Sequence, residues 1–189
     1  MKVIPKILLC IVLAALLAFI SGQMMLKKRS ESIVNGVWIT DQTTGSAKAS
    51  IYHRARIARS GIWALASSEV IYFYADKDSD GNLLRQDCTY KIIGNDPDTR
   101  WWSVTAYKND HFIPNSRNRY SYSKSTVQRE SDGRWEITLS PTEQEKNWLS
   151  SGNQAGQLVL LLRNYNPSQA MKESPQSIEL PKLFKERSN

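Results

Sequence analysis

The sequence predicts a mainly β domain, an antiparallel sandwich or small barrel with one amphipathic helix, preceded by a single N-terminal transmembrane helix. Three observations carry this reading. Ile7 to Ile20 is an unbroken apolar run of 14 residues. Ile51, Ala55, Ala58, Ile62 and Leu65 recur at spacings of 4, 3, 4 and 3, one face of a helix. From Val70 onward, short β-branched and aromatic runs alternate with turns rich in Asp, Asn, Gly and Ser.

The N-terminal run is the first element. Met24, Met25 and Leu26 extend it past Ser21, Gly22 and Gln23, so Ile7 to Leu26 makes 20 residues between Lys6 and Lys27. About 20 apolar residues span the hydrocarbon core as a helix. A cleaved signal peptide is the rival reading, since Lys2 and Lys6 form an n-region. No A-x-A-like site follows Ile20, and Lys27-Lys28-Arg29 would be an unusual mature start, so the uncleaved anchor is favoured. Basic charge is nearly balanced across the segment. A short leading N-terminus stays cytoplasmic by default, which places the domain in the periplasm of a protein anchored in the inner membrane.

The net charge is +7, but five of the 25 basic residues lie in residues 1–29, where no acid occurs. The remainder holds 20 basic against 18 acidic residues, close to neutral. The basic excess is therefore a membrane flank, and the bilayer rather than nucleic acid is the expected partner. Cys10 lies in the apolar run and Cys88 in the domain, so no disulfide framework is expected.

Residues 30–46 read as a connector, with Val37-Trp38-Ile39 as a short strand or a clip onto the domain, which spans 47–181. The helical pattern follows and ends near Gly61; Arg54, Arg56 and Arg59 fall off its apolar face, as a solvated basic side or a ligand site. Strands are predicted over Val70 to Ala75, Thr89 to Ile93 and Trp101 to Tyr107, with a return at His111 to Ile113. Further strands are expected at Trp135 to Leu139, at Leu158 to Tyr165 (buried on both faces) and at Ile178 to Leu180. Residues 182–189 read as a charged, frayed tail.

Few motifs carry chemistry. Asp76, Asp78 and Asp80 with Gly81, and Asp87 at the twelfth place, match part of a calcium loop. Position twelve lacks the bidentate Glu and the flanks read as strands, so a polar β-turn is the competing account. His53 and His111 have no elbow motif or zinc spacing around them. The richest cluster is aromatic and polar: Arg100, Trp102, Asn115, Asn118, Arg119, Tyr120, Asn147, Trp148, Arg163 and Tyr165. Such residues either lock loops by hydrogen bonds or line a pocket. Neighbouring Trp101 and Trp102 must point to opposite faces of a strand.

These residues also carry a resemblance. Arg54 to Gly61, Glu69 to Phe73, Asp78 to Gly81, Cys88 to Tyr90, Arg100 to Tyr107, Pro114-Asn115, Asn118 to Ser121, Asn147 to Leu149 and Leu162 to Tyr165 come in order. From about Gly45 to Pro167 the chain resembles the bacterial family called domain of unknown function 1214, in its short membrane-anchored form. The resemblance implies a jelly-roll-like β-sandwich and no established reaction. Longer relatives carry a second domain, domain of unknown function 1254, so a separate partner bearing that half is implied. Asn164 stands where relatives tend to have Leu, and Ser150 where they tend to have Pro.

Three functions fit these features. The leading one is a non-enzymatic envelope subunit that docks a partner protein through an exposed aromatic patch. A ligand-binding module, for glycans in particular, is the second. An enzyme using Arg100, Arg119, Arg163 and Asn147 is the third, but the sequence offers it no clear acid or base. No cofactor is expected beyond the calcium candidate.

Overall fold

The apolar N-terminal run forms helix α1 (Val3–Lys27) in the computed structural model, which describes residues 3–27, 32–60 and 63–186. It is long and apolar enough to cross a membrane or to be a signal sequence. The expected flank Lys28-Arg29 and the helix positions Gly61 and Ile62 lie outside the described residues.

Strands β1 (Ile33–Asn35) and β2 (Trp38–Thr40) follow as a hairpin. Gly36, at φ +59°, supplies the left-handed residue that a two-residue loop needs at its first position. Helix α2 (Ile51–Arg59) starts where the Ser50 hydroxyl accepts the His53 backbone N–H. Strands β3 (Val70–Ala75), β4 (Tyr90–Gly94), β5 (Thr99–Lys108), β6 (His111–Phe112), β7 (Ser121–Ser123), β8 (Trp135–Ser140), β9 (Trp148–Ser150) and β10 (Val159–Pro167) come next. Helix α3 (Gln169–Glu173) and strand β11 (Lys182–Lys185) complete the order.

The strands make two sheets. The larger runs β1-β2-β3-β10-β5-β6, with β7 also on β5; the smaller runs β11-β4-β8-β9. Pairing is antiparallel except between β8 and β9, which are parallel, so the smaller sheet is mixed. One core joins the two: Phe73, Trp102, Leu160 and Leu162 from the larger sheet pack with Tyr90, Ile92, Trp135 and Ile137 from the smaller. The Trp102 and Trp135 rings stack at 4.6 Å. The Tyr122 hydroxyl of β7 accepts the Trp148 N–H of β9, a hydrogen bond between the sheets.

Several expectations are corrected here. The short strand expected at Val37-Trp38-Ile39 is present as β2, but with β1 it makes the connector the first hairpin of the larger sheet, where buried Trp38 fills the core and its indole donates to the Pro181 carbonyl at 2.6 Å. The charged tail is not frayed over its first half: Lys182–Lys185 is β11, which pairs with β4 and buries Leu183 completely. Ile178 to Leu180 is not a strand but packs against the core. Helix α2 ends at Arg59, next to the expected stop at Gly61, but it buries the side opposite to the apolar stripe: His53 is buried, while Ile51, Ala55 and Ala58 are exposed. Hydrogen bonds to His53 decide that orientation, as described below.

Asn164 lies inside β10, opposite Ile71 and Trp102, and is fully buried. Among the described residues neither polar atom of its amide finds a partner. A buried amide without partners costs about 1–3 kcal/mol. Asn164→Leu keeps the branching at Cγ and removes that cost, so denaturant unfolding of the full chain in detergent should show a gain of about 1–2 kcal/mol.

Gly45 sets a second test. It has φ +75°, and a Cβ there would sit 2.0 Å from the Leu65 carbonyl oxygen. Gly36 has positive φ but open space around it. Gly36→Ala should cost about 1–2 kcal/mol, the left-handed penalty alone. Gly45→Ala should lower the unfolding midpoint clearly further, because the 64–67 segment must shift; equal effects would contradict this packing.

Candidate functional site

Strand periodicity divides the side chains of the larger sheet between two faces. Ile71, Phe73 and Ala75 point into the core, so Val70, Tyr72 and Tyr74 point out. On β10, Leu161, Arg163 and Tyr165 share that outer face; on β5, Trp101, Ser103, Thr105 and Tyr107 do. The tight Asn109-Asp110 turn, with φ +47° and +62°, folds β6 back and adds Phe112 beside Tyr107. A cleft of about 380 Å³ results, walled by Tyr72, Tyr74, Tyr107, Phe112 and Tyr165 and by Trp63 and Leu65.

Its geometry is aromatic with one cation. Trp101 meets Tyr165 edge-on at 5.1 Å, Tyr107 stacks on Phe112 at 5.3 Å, and Phe112 meets Tyr120 at 5.2 Å. Arg163 lies over the Tyr107 ring at 5.7 Å. Its guanidinium donates to the Thr105 hydroxyl at 3.0 Å and to the Tyr107 hydroxyl at 2.5 Å, which aims it across β5. The Tyr72 hydroxyl accepts the Leu65 N–H at 3.0 Å and ties the 63–65 segment to the cleft wall. Burial raises the Tyr72 phenol above its ordinary range, and burial with the neighbouring Tyr72 pushes Tyr74 up to about 12.

A smaller recess of about 290 Å³ shares Ser60, Tyr74, Asp110 and Val159 with this cleft. At its base, His53 Nδ1 lies 3.1 Å from Asp41 Oδ2, and Nε2 lies 3.1 Å from the Thr44 hydroxyl. Arg56 Nη2 approaches the same Nδ1 at 2.6 Å. The order acid–imidazole–hydroxyl is that of an activated nucleophile, but Thr44 is buried in a turn that Asp41 itself caps through the Thr43 N–H. The chain of bonds fastens α2 to the 41–49 segment, which is why the His53 side faces inward. Sequence reasoning missed it: Asp41, Thr44 and His53 match no spacing motif, and only the turn brings them together.

The residues expected from sequence to form one cluster do not form one. Arg163 and Tyr165 are in the cleft, with Tyr120 at its edge through Phe112. Trp102 is core, its indole donating to Asp96 at 3.0 Å; Trp101 holds the exposed position instead. Trp148 is buried, donating to the Ser140 carbonyl. Asn147 is buried at φ +26°, and its side chain bonds the Gln128 backbone twice and the Glu136 carbonyl. Asn115 holds the 113–119 loop by accepting from Arg117 and Arg119 N–H, and Asn118 supplies a positive φ in that loop. Arg119 stacks over Tyr122 at 5.0 Å, and Arg100 is exposed beside Lys124, which bonds its carbonyl. The four side chains of the enzyme reading, Arg100, Arg119, Arg163 and Asn147, therefore share no pocket.

The carboxylates of the calcium reading are engaged locally. Asp78 is buried and its Oδ1 accepts the Asp80 and Asn82 N–H groups, a side-chain-closed turn. Asp87 is held bidentately by Arg85, which lowers its pKa, and Asp80 is exposed. Among the described residues no group of three or more His, Cys, Asp or Glu side chains is placed to hold a metal ion.

The family described as "Protein of unknown function (DUF1214)" matches residues 69–169. The crystal structure of the VPA0106 protein from Vibrio parahaemolyticus is similar, with 25% identity and a TM-score of 0.62. The match covers 78% of this chain and 40% of that one, so this chain spans well under half the length of that relative. A putative uncharacterized protein from Burkholderia cenocepacia aligns at 15% identity and a TM-score of 0.42, covering 87% of this chain and 39% of that one. No curated protein matches the chain.

The tyrosines of the cleft give a pH test. An unfolded tyrosine ionises near 10, whereas Tyr74 holds its proton to about 12. Across that window the unfolded state releases its proton first, so the stabilisation is complete below pH 10 and is lost as pH rises toward 12. Tyr90, also buried, holds its proton to about 12 as well, and Tyr72 is raised too, so ultraviolet titration should show late phenols in the wild type and one fewer in Tyr74→Phe, and that variant should lose less stability over the same pH range.

Proposed function

The chain belongs to the DUF1214 family, and on that premise we propose that it is a membrane-anchored, non-enzymatic subunit whose aromatic sheet face docks a partner protein. The observation that carries the reading is the outer face of β5, β6 and β10. Phe112 is 56% exposed and Trp101 37%, flanking half-buried Tyr107, Arg163 and Tyr165. Tyr, Trp and Arg gathered on one rigid sheet are the residue types that dominate binding energy at protein interfaces. Arg163 is already oriented by two hydrogen bonds, so little of its freedom remains to be lost on association.

The partner we expect carries the domain of unknown function 1254. In the Vibrio relative the matched region is 40% of the chain, so a further polypeptide accompanies this sandwich there. Helix α1 would hold the subunit in the inner membrane with the sandwich in the periplasm. A second reading, a glycan or other small ligand in the cleft, is favoured by the combination of ring faces with the Arg163 guanidinium and Asp110 on its lining.

A C-terminally tagged full chain, gently solubilised from native membranes and pulled down, tests both. A stoichiometric partner should co-purify with the wild type and with Ser131→Ala, a change on an exposed turn. It should be lost, by a factor of ten or more, with Phe112→Asp. Equal recovery with Phe112→Asp would move docking to another surface. Recovery of the chain alone would end the docking reading and turn attention to tryptophan fluorescence with sugars.

A further inference from the structure

Helix α2 presents to the outside the side that ordinary packing would bury. Ile51 is 75% exposed, and Tyr52, Ala55 and Ala58 are exposed beside it. Trp63, just past the helix, is 96% exposed. A fully bare indole next to a bare aliphatic face leaves in water apolar surface that burial would remove. The helix carries Arg54, Arg56 and Arg59 and no acidic residue.

The position of this face relative to α1 says what covers it. The last turns of α1 pack against α2: Gly22, Gln23 and Leu26 are the partly covered residues of an otherwise exposed helix. Arg59 Nη1 donates to Gln23 Oε1 at 3.2 Å. Gln23 lies four residues before the end of α1, about 6 Å along its axis. The C-terminal end of α2 is thus fastened at the depth where a span leaves the hydrocarbon and enters the headgroups.

We propose that α2 and Trp63 form an interfacial foot, lying in the headgroup layer of the bilayer that α1 spans, with Ile51, Ala55, Ala58 and Trp63 toward the acyl chains. The inference rests on the reading of α1 as a membrane span. Each component suits that place. Amphipathic helices with Arg on the polar side lie in the interface with their apolar face several Å deep. Tryptophan concentrates at the headgroup level. Arg59, exposed and held beside α1 by Gln23, would meet anionic lipid phosphates, while Arg54 closes the start of α2 by donating to the Ala47 and Ala49 carbonyls. The internal lock of Asp41, Thr44 and His53 turns the apolar stripe outward and so serves the same end. The foot would set the tilt of the sandwich, and with it the direction in which its aromatic face looks.

Spin labels read depth directly. In a Cys10→Ser, Cys88→Ser full chain reconstituted into phosphatidylcholine vesicles with a minority of phosphatidylglycerol, single labels go on Ala55→Cys, Trp63→Cys, Ser131→Cys and Leu13→Cys. Collision rates with oxygen and with a water-soluble nickel complex are compared for each. Labels at 55 and 63 should favour oxygen severalfold over the label at 131, and less strongly than the label at 13. If 55 and 63 match 131 while 13 reads lipid, the foot is wrong and the anchor stands. If 13 also reads as water-exposed, the anchor itself fails and the foot with it.

Discussion

Strand β10 is the constraint on which the rest of the molecule depends. It pairs with β3 on one side and β5 on the other, so its backbone groups are satisfied within the sheet. Its side chains then face two environments at once. Leu160 and Leu162 enter the core shared with the smaller sheet, while Leu161, Arg163 and Tyr165 face outward. A slip of one residue would exchange these sets, placing a guanidinium in the core and two leucines in the cleft. The register of β10 thus fixes the core and the candidate site together.

The smaller sheet and the hairpin act as closures around that strand. Trp135 of β8 stacks on Trp102 of β5, and Trp38 of the hairpin reaches Pro181 on the far side of the chain. β11 then covers one edge of the smaller sheet, where an open strand would invite association. Buried polar groups follow the same logic. Asn147, Trp148 and Thr44 satisfy backbone or side-chain partners and hold loops in place, whereas Asn164 breaks the rule inside the core.

The functional reading comes from surfaces the core does not use. The outer face of the larger sheet is aromatic and half covered, and α2 shows its apolar stripe rather than hiding it. The proposed partner would cover the first and the proposed lipid surface the second.

Local chemistry determined much of this from sequence alone. The apolar run of α1, the β-branched runs of β3, β5 and β10, and the turns at Asp78 to Gly81 and Asn109-Asp110 are each set by neighbours a few residues away. The alternation at Trp101 and Trp102 required one in and one out, but not which. Tertiary structure alone decided that Trp102 goes inside, where the Trp135 ring and Asp96 receive it. It likewise decided that α2 turns His53 inward, because Asp41 and Thr44 outweigh a stripe of two alanines and one isoleucine. It drew β11 out of a charged tail, because one leucine found a place in the core. In each case the deciding partner lies across a turn or far along the chain, where no periodicity in the sequence records it.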